Sequence, residues 1–429
     1  MNIKRYWKLI SILAVIVVVL TTYFIQSSLA ASRYPNFVLK TISGDKSEVE
    51  NITMYGEYYQ LDSTSSGYLR LTSEGTEYLQ EQSYFERLNN KFEPSEITRL
   101  QDEYRNFMRS KPDLPALYFE DDNVVAYANL ESEERWGTIY PEDYYFDIAV
   151  FDKKTNDTSS FEIEIPGQKD YWYMNVYDVQ VVDGMLKVVT DVFHQDGETE
   201  EHTLSVYTFD IATQKLVGDE TVLTGIGEES EGVMKRTSFT LLNDADFIGI
   251  QTNLFLMKEE STETIIQSKE NESTDVDTEV IEDQVTNRQV YVYNLATNEM
   301  TELALSDEIK TQIENTPFNS TAFIDEEYAY FNLRTEENLT VVGYNIETLT
   351  EEMKQTFDLA NLGITNPTIR IKNNNVYLVE SQLEDENSVE VIVGDLLTGD
   401  ILYEGEIVIE NPTKEQKNYG LQLYEIEIK

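Results

Sequence analysis

Apolar and polar positions alternate with period two over short stretches of this chain. The stretches stop at Asn, Asp, Gly or Pro, which predicts half-buried β-strands joined by tight turns. Residues 176–182 run to Asp183-Gly184, a hairpin signal, residues 185–190 return, and residues 204–209 lead into Asp210. The unit reads as an antiparallel meander. The plan recurs at 321–344 around Asp325-Glu326-Glu327 and at 368–393 around Asn373-Asn374-Asn375. Each unit ends in one phrase: an aromatic-rich apolar strand, Asp or Asn, two residues, then Thr. The five copies begin at Asp152, Asp210, Asn294, Asn345 and Asp395 and close at Thr155, Thr213, Thr297, Thr348 and Thr398. Successive copies start 58, 84, 51 and 50 residues apart, so a β-rich unit of about fifty residues is reused.

A short carboxylate or amide accepts hydrogen bonds from backbone N–H groups two residues on, and Thr closes the same turn from its far side. Five equivalent copies therefore argue for turn chemistry over metal ligation or acid catalysis. Three or four strands per fifty residues is the content of a propeller blade. Two stretches interrupt the pattern. Within 84–111, Ile97, Leu100, Tyr104, Phe107 and Met108 share one face at helical spacing, with Pro94-Ser95-Glu96 as a start and Pro112 as a stop. This helical insertion either packs on the protein's own rim or docks a partner. Between 259 and 283 ten acids stand against one Lys, too polar a composition to bury a core, which predicts a mobile loop between two strands of the third unit.

The pattern is most complete in Val393-Gly394-Asp395-Leu396-Leu397-Thr398-Gly399-Asp400. It resembles the blades of bacterial quinoprotein-like and lactonase-like β-propellers over about residues 120–410, at the level of blade architecture. The 19 Gly are fewer than those families use. Beyond residue 30 the only Trp are Trp136 and Trp172, neither at a repeated position, so the docking Trp of a quinoprotein blade is missing. The resemblance implies a fold without its quinone, and no cofactor is expected.

Lys4, Arg5 and Lys8 precede an uncharged, largely apolar run from residue 9 to residue 25. Its seventeen residues, at about 1.5 Å each, reach roughly 25 Å, the short end of a bilayer span. Basic residues before the run and an acidic chain after it predict a cytoplasmic N-terminus and an exported remainder. Residues 1–30 would then be a transmembrane signal anchor of the cell membrane, with 31–429 an extracytoplasmic domain. Ser28-Leu29-Ala30 offers the alternative, a secreted protein cut after Ala30. The run exceeds the usual length of a cleaved core, which favours the anchor.

The formal charge is −48, and the first thirty residues hold three basic residues and no acid, which leaves −51 beyond them. Such a surface repels nucleic acid and anionic headgroups. The expected partners are proteins of the cell envelope, with membrane contact through the N-terminal helix alone. The chain has no Cys, which removes a lipoprotein anchor, thiol chemistry and thiolate zinc.

Candidate chemistry is sparse. The only histidines, His194 and His202, flank 195–201, which reads as a hairpin loop. They either approach each other across it as half a metal site or are simply exposed. Asp275-Val276-Asp277-Thr278-Glu279 alternates acids as a Ca²⁺ loop would, yet lacks the turn Gly and the bidentate Glu. No metal site is expected at either place. Among eighty carboxylates a glycosidase-like pair has no signature, and no zincin, serine-hydrolase or phosphate-loop motif is present, so no catalytic residue is named.

The expected architecture is an all-β propeller of about six or seven blades, with the first blade drawn from 37–82 and the ring closed by 421–428 on an N-terminal strand. A two-domain β-sandwich is the alternative. The leading functional expectation is a non-catalytic extracytoplasmic binding or scaffold protein. The alternative is an exported hydrolase or lyase acting on a lactone or saccharide, with Ca²⁺ assistance.

Overall fold

The computed structural model describes residues 34–60, 66–82, 95–132, 144–165, 171–196, 199–230, 233–243, 247–267, 279–315, 322–324, 327–384, 389–412 and 419–428, together with 12, 15–18 and 21–22. The last seven positions are helical, and the rest of the run from 9 to 25 lies outside the described residues. Among the described residues no helix is long and apolar enough to cross a membrane.

The chain is all-β in class, its strands gathered into five antiparallel sheets among the described residues, and it divides into two compact units. The first unit comprises residues 1–92, 336–338 and 356–429. Sheet A sets Ile52–Gln60, Ser66–Thr72 and Gly75–Tyr78 beside the C-terminal strand Tyr419–Ile428, which pairs from Gln60↔Tyr419 to Ile52↔Ile428. Sheet E sets the meander Pro367–Lys372, Asn375–Glu380, Val389–Asp395 and Ile401–Ile409 beside Phe37–Gly44. Each end of the chain thus completes a sheet begun at the other, which covers edges that would otherwise offer unpaired backbone. Residues 37–44, expected in the first blade, belong instead to the last sheet. The cause is the 3₁₀ turn Lys46–Val49, where Asp45 Oδ1 accepts the N–H of Ser47 at 2.9 Å and Val49 is fully buried, so the chain changes sheets there. Phe37, Tyr58, Tyr78, Val391, Tyr403 and Leu421 share the core between the two sheets.

The second unit comprises residues 93–335 and 339–355. Sheet B is the meander Tyr118–Glu120, Val124–Ser132, Tyr144–Asp152 and Asp157–Glu164. Sheet C has eight strands in chain order, from Tyr171–Val182 to Glu299–Glu302. It is two four-stranded meanders joined by a short ladder, because Lys215–Ser230 and Val233–Leu241 pair only between Gly227↔Arg236 and Ser230↔Val233. Sheet D contains Ala322–Ile324, Tyr328–Arg334, Asn338–Asn345 and Glu351–Asp358. Apolar faces pack in chain order: Phe119, Phe146 and Ile148 of sheet B against Val179, Leu186 and Phe209, and Phe255 and Val292 against Phe331 and Tyr344 of sheet D.

The helical insertion is present as Ser95–Glu103 and Arg105–Met108, and residues 84–94 lie outside the described residues. Ile97, Leu100, Phe107 and Met108 are buried among Tyr118, Val125, Tyr127 and Ala149, so the apolar face is spent on sheet B of its own unit. The acidic stretch is corrected. Residues 259–267 and 279–283 continue the paired strands Asn253–Gln267 and Glu279–Asn294, and only 268–278, which include most of the candidate Ca²⁺ loop, lie outside the described residues. Ile265 and Ile266 stand opposite Ile281 and Val280 in the register, and buried Glu259 meets Arg288 Nε at 2.5 Å, so acid content alone misleads.

All five copies of the repeated phrase form one turn. The Oδ1 of Asp152, Asp210, Asn294, Asn345 and Asp395 accepts the N–H two and three residues on, at 2.7–3.0 Å. The carbonyl of the same residue accepts the N–H four residues on at 2.8–2.9 Å, where the backbone is left-handed: Asn156 (φ 58°), Gln214 (55°), Asn298 (57°), Leu349 (53°) and Gly399 (79°). The backbone N–H groups of Thr155 and Thr213 lead in holding the carboxyls of Asp152 and Asp210 below the usual carboxylate range. Sheet A turns at Thr72–Gly75 without the phrase, which is why the sequence repeats it only beyond residue 150.

Two outcomes follow from this turn. Gln214→Gly should stabilise by about 0.5–1 kcal/mol, since a left-handed L residue costs about 1–2 kcal/mol and glycine returns part of that as entropy; a lower melting temperature would contradict it. Asn294 also donates to Asn253 Oδ1 at 2.8 Å, and Asn253 donates to Ile346 O at 2.9 Å. Asn294→Ala should therefore cost about 1–2 kcal/mol in denaturant titration, with Asn294→Asp costing less.

Candidate functional site

The histidines are not in a loop. Met185–Asp196 and Thr199–Asp210 pair continuously, with Phe193 opposite His202 and His194 opposite Glu201. Side chains alternate across a strand, so the two imidazoles lie on opposite faces of sheet C and cannot share an ion. Of the hydrophilic run 195–201, residues 195–196 and 199–201 extend the two paired strands, and 197–198 lie outside the described residues. Among the described residues no group of three His, Asp or Glu side chains is placed to hold a metal.

His202 is the better defined of the two. Its ring lies between Phe193 (4.3 Å, 8° between planes) and Phe239 (4.0 Å, 17°). Gly225 stands opposite it in the register, and a Cβ there would come within 2.4 Å of the Thr237 carbonyl, so glycine lets the backbones close and Phe239 reach the imidazole. His202 Nε2 pairs with Oδ1 of buried Asp191, whose Oδ2 accepts the Tyr177 hydroxyl at 2.7 Å. Burial, then Asp191, pushes the Tyr177 hydroxyl up, so it stays a donor. The carboxylate fixes the orientation of the ring, as the partner of a general base does. On the other face His194 Nε2 lies 3.4 Å from Thr203 Oγ1, with Tyr171 edge-on at 4.6 Å.

A second group ties the helical insertion to sheet B. Glu120 Oε1 accepts from Lys153 Nζ (2.5 Å) and the Tyr104 hydroxyl (3.0 Å), and Oε2 accepts from Arg99, which also reaches Glu96 and Glu103. Burial alone would push Glu120 up; Arg99 and Lys153 outweigh it and hold the carboxyl below its usual range. Beside it opens a cavity of about 510 Å³ whose walls include Arg99, Asp122, Lys153 and Ile250.

The third group is buried and polar. Asp178 accepts the Val179 N–H (2.8 Å) and both oxygens face Gln180 Nε2 (3.1 and 3.2 Å). Gln180 Oε1 accepts the Gln251 N–H at 2.8 Å, and Asn243 Nδ2 donates to Gln251 Oε1 at 2.9 Å. Burial pushes the Asp178 carboxyl up to about 7 against the smaller pull of these donors. Sequence reasoning passed over Asp178 and Asp191 because a polar residue next to Val in a strand reads as solvent-facing, and over Glu120 because it opens the acidic turn Glu120-Asp121-Asp122.

No family model matches the chain, and no curated protein matches it. It is similar in structure to a putative 6-phosphogluconolactonase of Bacteroides fragilis (11% identity, 84% of this chain and 95% of that one, TM-score 0.26). A second is the periplasmic gluconolactonase of Pseudomonas aeruginosa (9%, 87% and 98%, TM-score 0.25). A third is Porphyromonas gingivalis dipeptidyl peptidase 4, with 8% identity over 59% of this chain and a TM-score of 0.26; the chain spans 44% of that protein's length. At such scores the fold is read from the sheets themselves.

Proposed function

We propose that this chain is an exported binding or scaffold protein, a six-bladed β-propeller held at the outer face of a cell membrane by its N-terminal segment, which engages envelope proteins. Among the described residues, six blade-sized groups of four or five antiparallel strands, counting sheet C as two, and the strand exchange between chain ends support the blade reading. One observation carries the binding role. Lys215–Ser230, Asn253–Gln267 and Glu279–Asn294 have 15 or 16 residues, about 50 Å of strand, where strands of the other sheets have 3 to 10. That extra length is an extension with a stacked core at His202 and exposed Glu201, Asp219 and Ile226. Its outer stretches 219–230, 259–267 and 279–283 contain acids and no Lys or Arg, and the strand between them adds only Lys235 and Arg236, so the acids outnumber the bases, which suits a cationic protein surface.

A photocrosslinker at Ile226 or Asp219, in cells making the full chain, should give a discrete protein adduct, while one at Glu162 on the edge strand Asp157–Glu164 should not. Equal or absent adducts at all three would sink the proposal. A second reading, an exported hydrolase or lyase for a lactone or saccharide, is favoured by the Asp191–His202 pair. A ligand at a hundredfold excess over its Kd adds about 2.7 kcal/mol, so a clear rise in melting temperature with a sugar lactone, an oligosaccharide or Ca²⁺ would put that reading first.

A further inference from the structure

We propose that residues 247–252 form a proton-operated strap, held down through Gln180 while Asp178 is protonated and released when Asp178 ionises. The strap has no regular secondary structure. Ile248, 9% exposed, packs with Ile97, Leu100 and Phe107, whereas Ile250, 65% exposed, forms one wall of the cavity beside Glu120. Gln251 is its inner anchor, with its N–H on Gln180 Oε1 and its Oε1 on Asn243. Gln251 Nε2 is buried without a hydrogen-bond partner, so the closed strap already carries a cost that opening to water removes.

Gln180 connects strap to carboxyl, since one amide group serves both Gln251 and Asp178. An ionised Asp178 has three neutral hydrogen bonds and no cation. The charged groups on elements packed against its strand have their own partners: Lys187 on Asn298, Asp191 on Tyr177 and His202, Glu120 on Arg99 and Lys153, and Glu131 on Asn129. Tyr118 donates to Pro112 O, and Lys111 lies over the Tyr127 ring. The strap itself contains no titratable residue. A buried carboxylate so placed draws in water. The neighbouring strand is tied to Asp178 by the ladder at Val189, whereas residues 247–252, joined to this group through Gln180, have no ladder and are the side that can yield.

The chain has no cysteine, so Ile248→Cys in the full chain gives a single reporter. Maleimide labelling of Cys at 248 is compared with the same reporter in an Asp178→Asn background, which cancels the pH dependence of the thiol. The ratio of rates, Asp178 over Asn, should rise about thirtyfold between pH 5.5 and 8. A ratio that stays flat would overturn the strap. Gln180→Ala cuts the link and leaves the carboxyl, so its labelling should be fast at both pH values; slow labelling there would overturn it equally.

Discussion

Replacing Glu120 by Ala should lower stability by about 2–3 kcal/mol and expose the helical segment 95–108 to hydrogen exchange before the rest of the second unit. Three donors from three elements converge on this one carboxylate: Arg99 of the helix, Tyr104 at its end and Lys153 of the sheet B turn. Alanine leaves two half-buried cations side by side with nothing between them. Glu120→Gln keeps the shape and one acceptor, and should cost less. The pH dependence has a definite sign. A carboxyl held below its unfolded value contributes fully above that value, near 4.5, and loses its contribution as acid protonates it in the folded state. The helix should therefore loosen on acidification, and the Ala variant should lack this sensitivity. Intact protection at Ile97 and Leu100 in Glu120→Ala would show that apolar packing alone holds the helix.

What could be read from the sequence was local. The Asp/Asn-x-x-Thr turn was legible because its hydrogen bonds lie within five residues, and the amphipathic helix because Ile97, Leu100, Phe107 and Met108 mark one face. The C-terminal strand was legible as a closing strand from its alternation, and it does pair with Ile52–Gln60. Partner choice was not. Nothing in 37–44 says that the Asp45 turn will send it to Ile401–Ile409. Strand length was misread where acids replaced apolar residues, since Glu259 is acceptable in a strand only because Arg288 stands opposite it. The buried polar group was hidden for a related reason. Period two separates Val179 and Val181 from Asp178 and Gln180, but it cannot tell that the second face is also covered, with Gln251 bonded to Gln180 and Asn243.

That covered face sets the largest expected pH effect in the molecule. Asp178→Asn should leave stability nearly unchanged near pH 4 and raise it by about 4 kcal/mol at pH 8. The folded carboxyl titrates near 7 because burial, the main influence, outweighs the donors from Gln180 and Val179, while the unfolded one titrates near 3.8. Below about pH 4 both states hold the proton and the residue is neutral to folding. Between 4 and 7 the unfolded chain ionises first, so stability falls as pH rises, and above 7 the full penalty is present. Asn has no such cycle. If the strap yields, the native chain sheds part of the penalty by admitting water to Asp178 without global unfolding, so the measured gain at pH 8 should fall short of that figure while exchange at the Gln251 amide rises. A gain that is the same at pH 4 and pH 8 would mean that Asn packs better for reasons unrelated to charge, and would remove Asp178 as the source of the pH dependence.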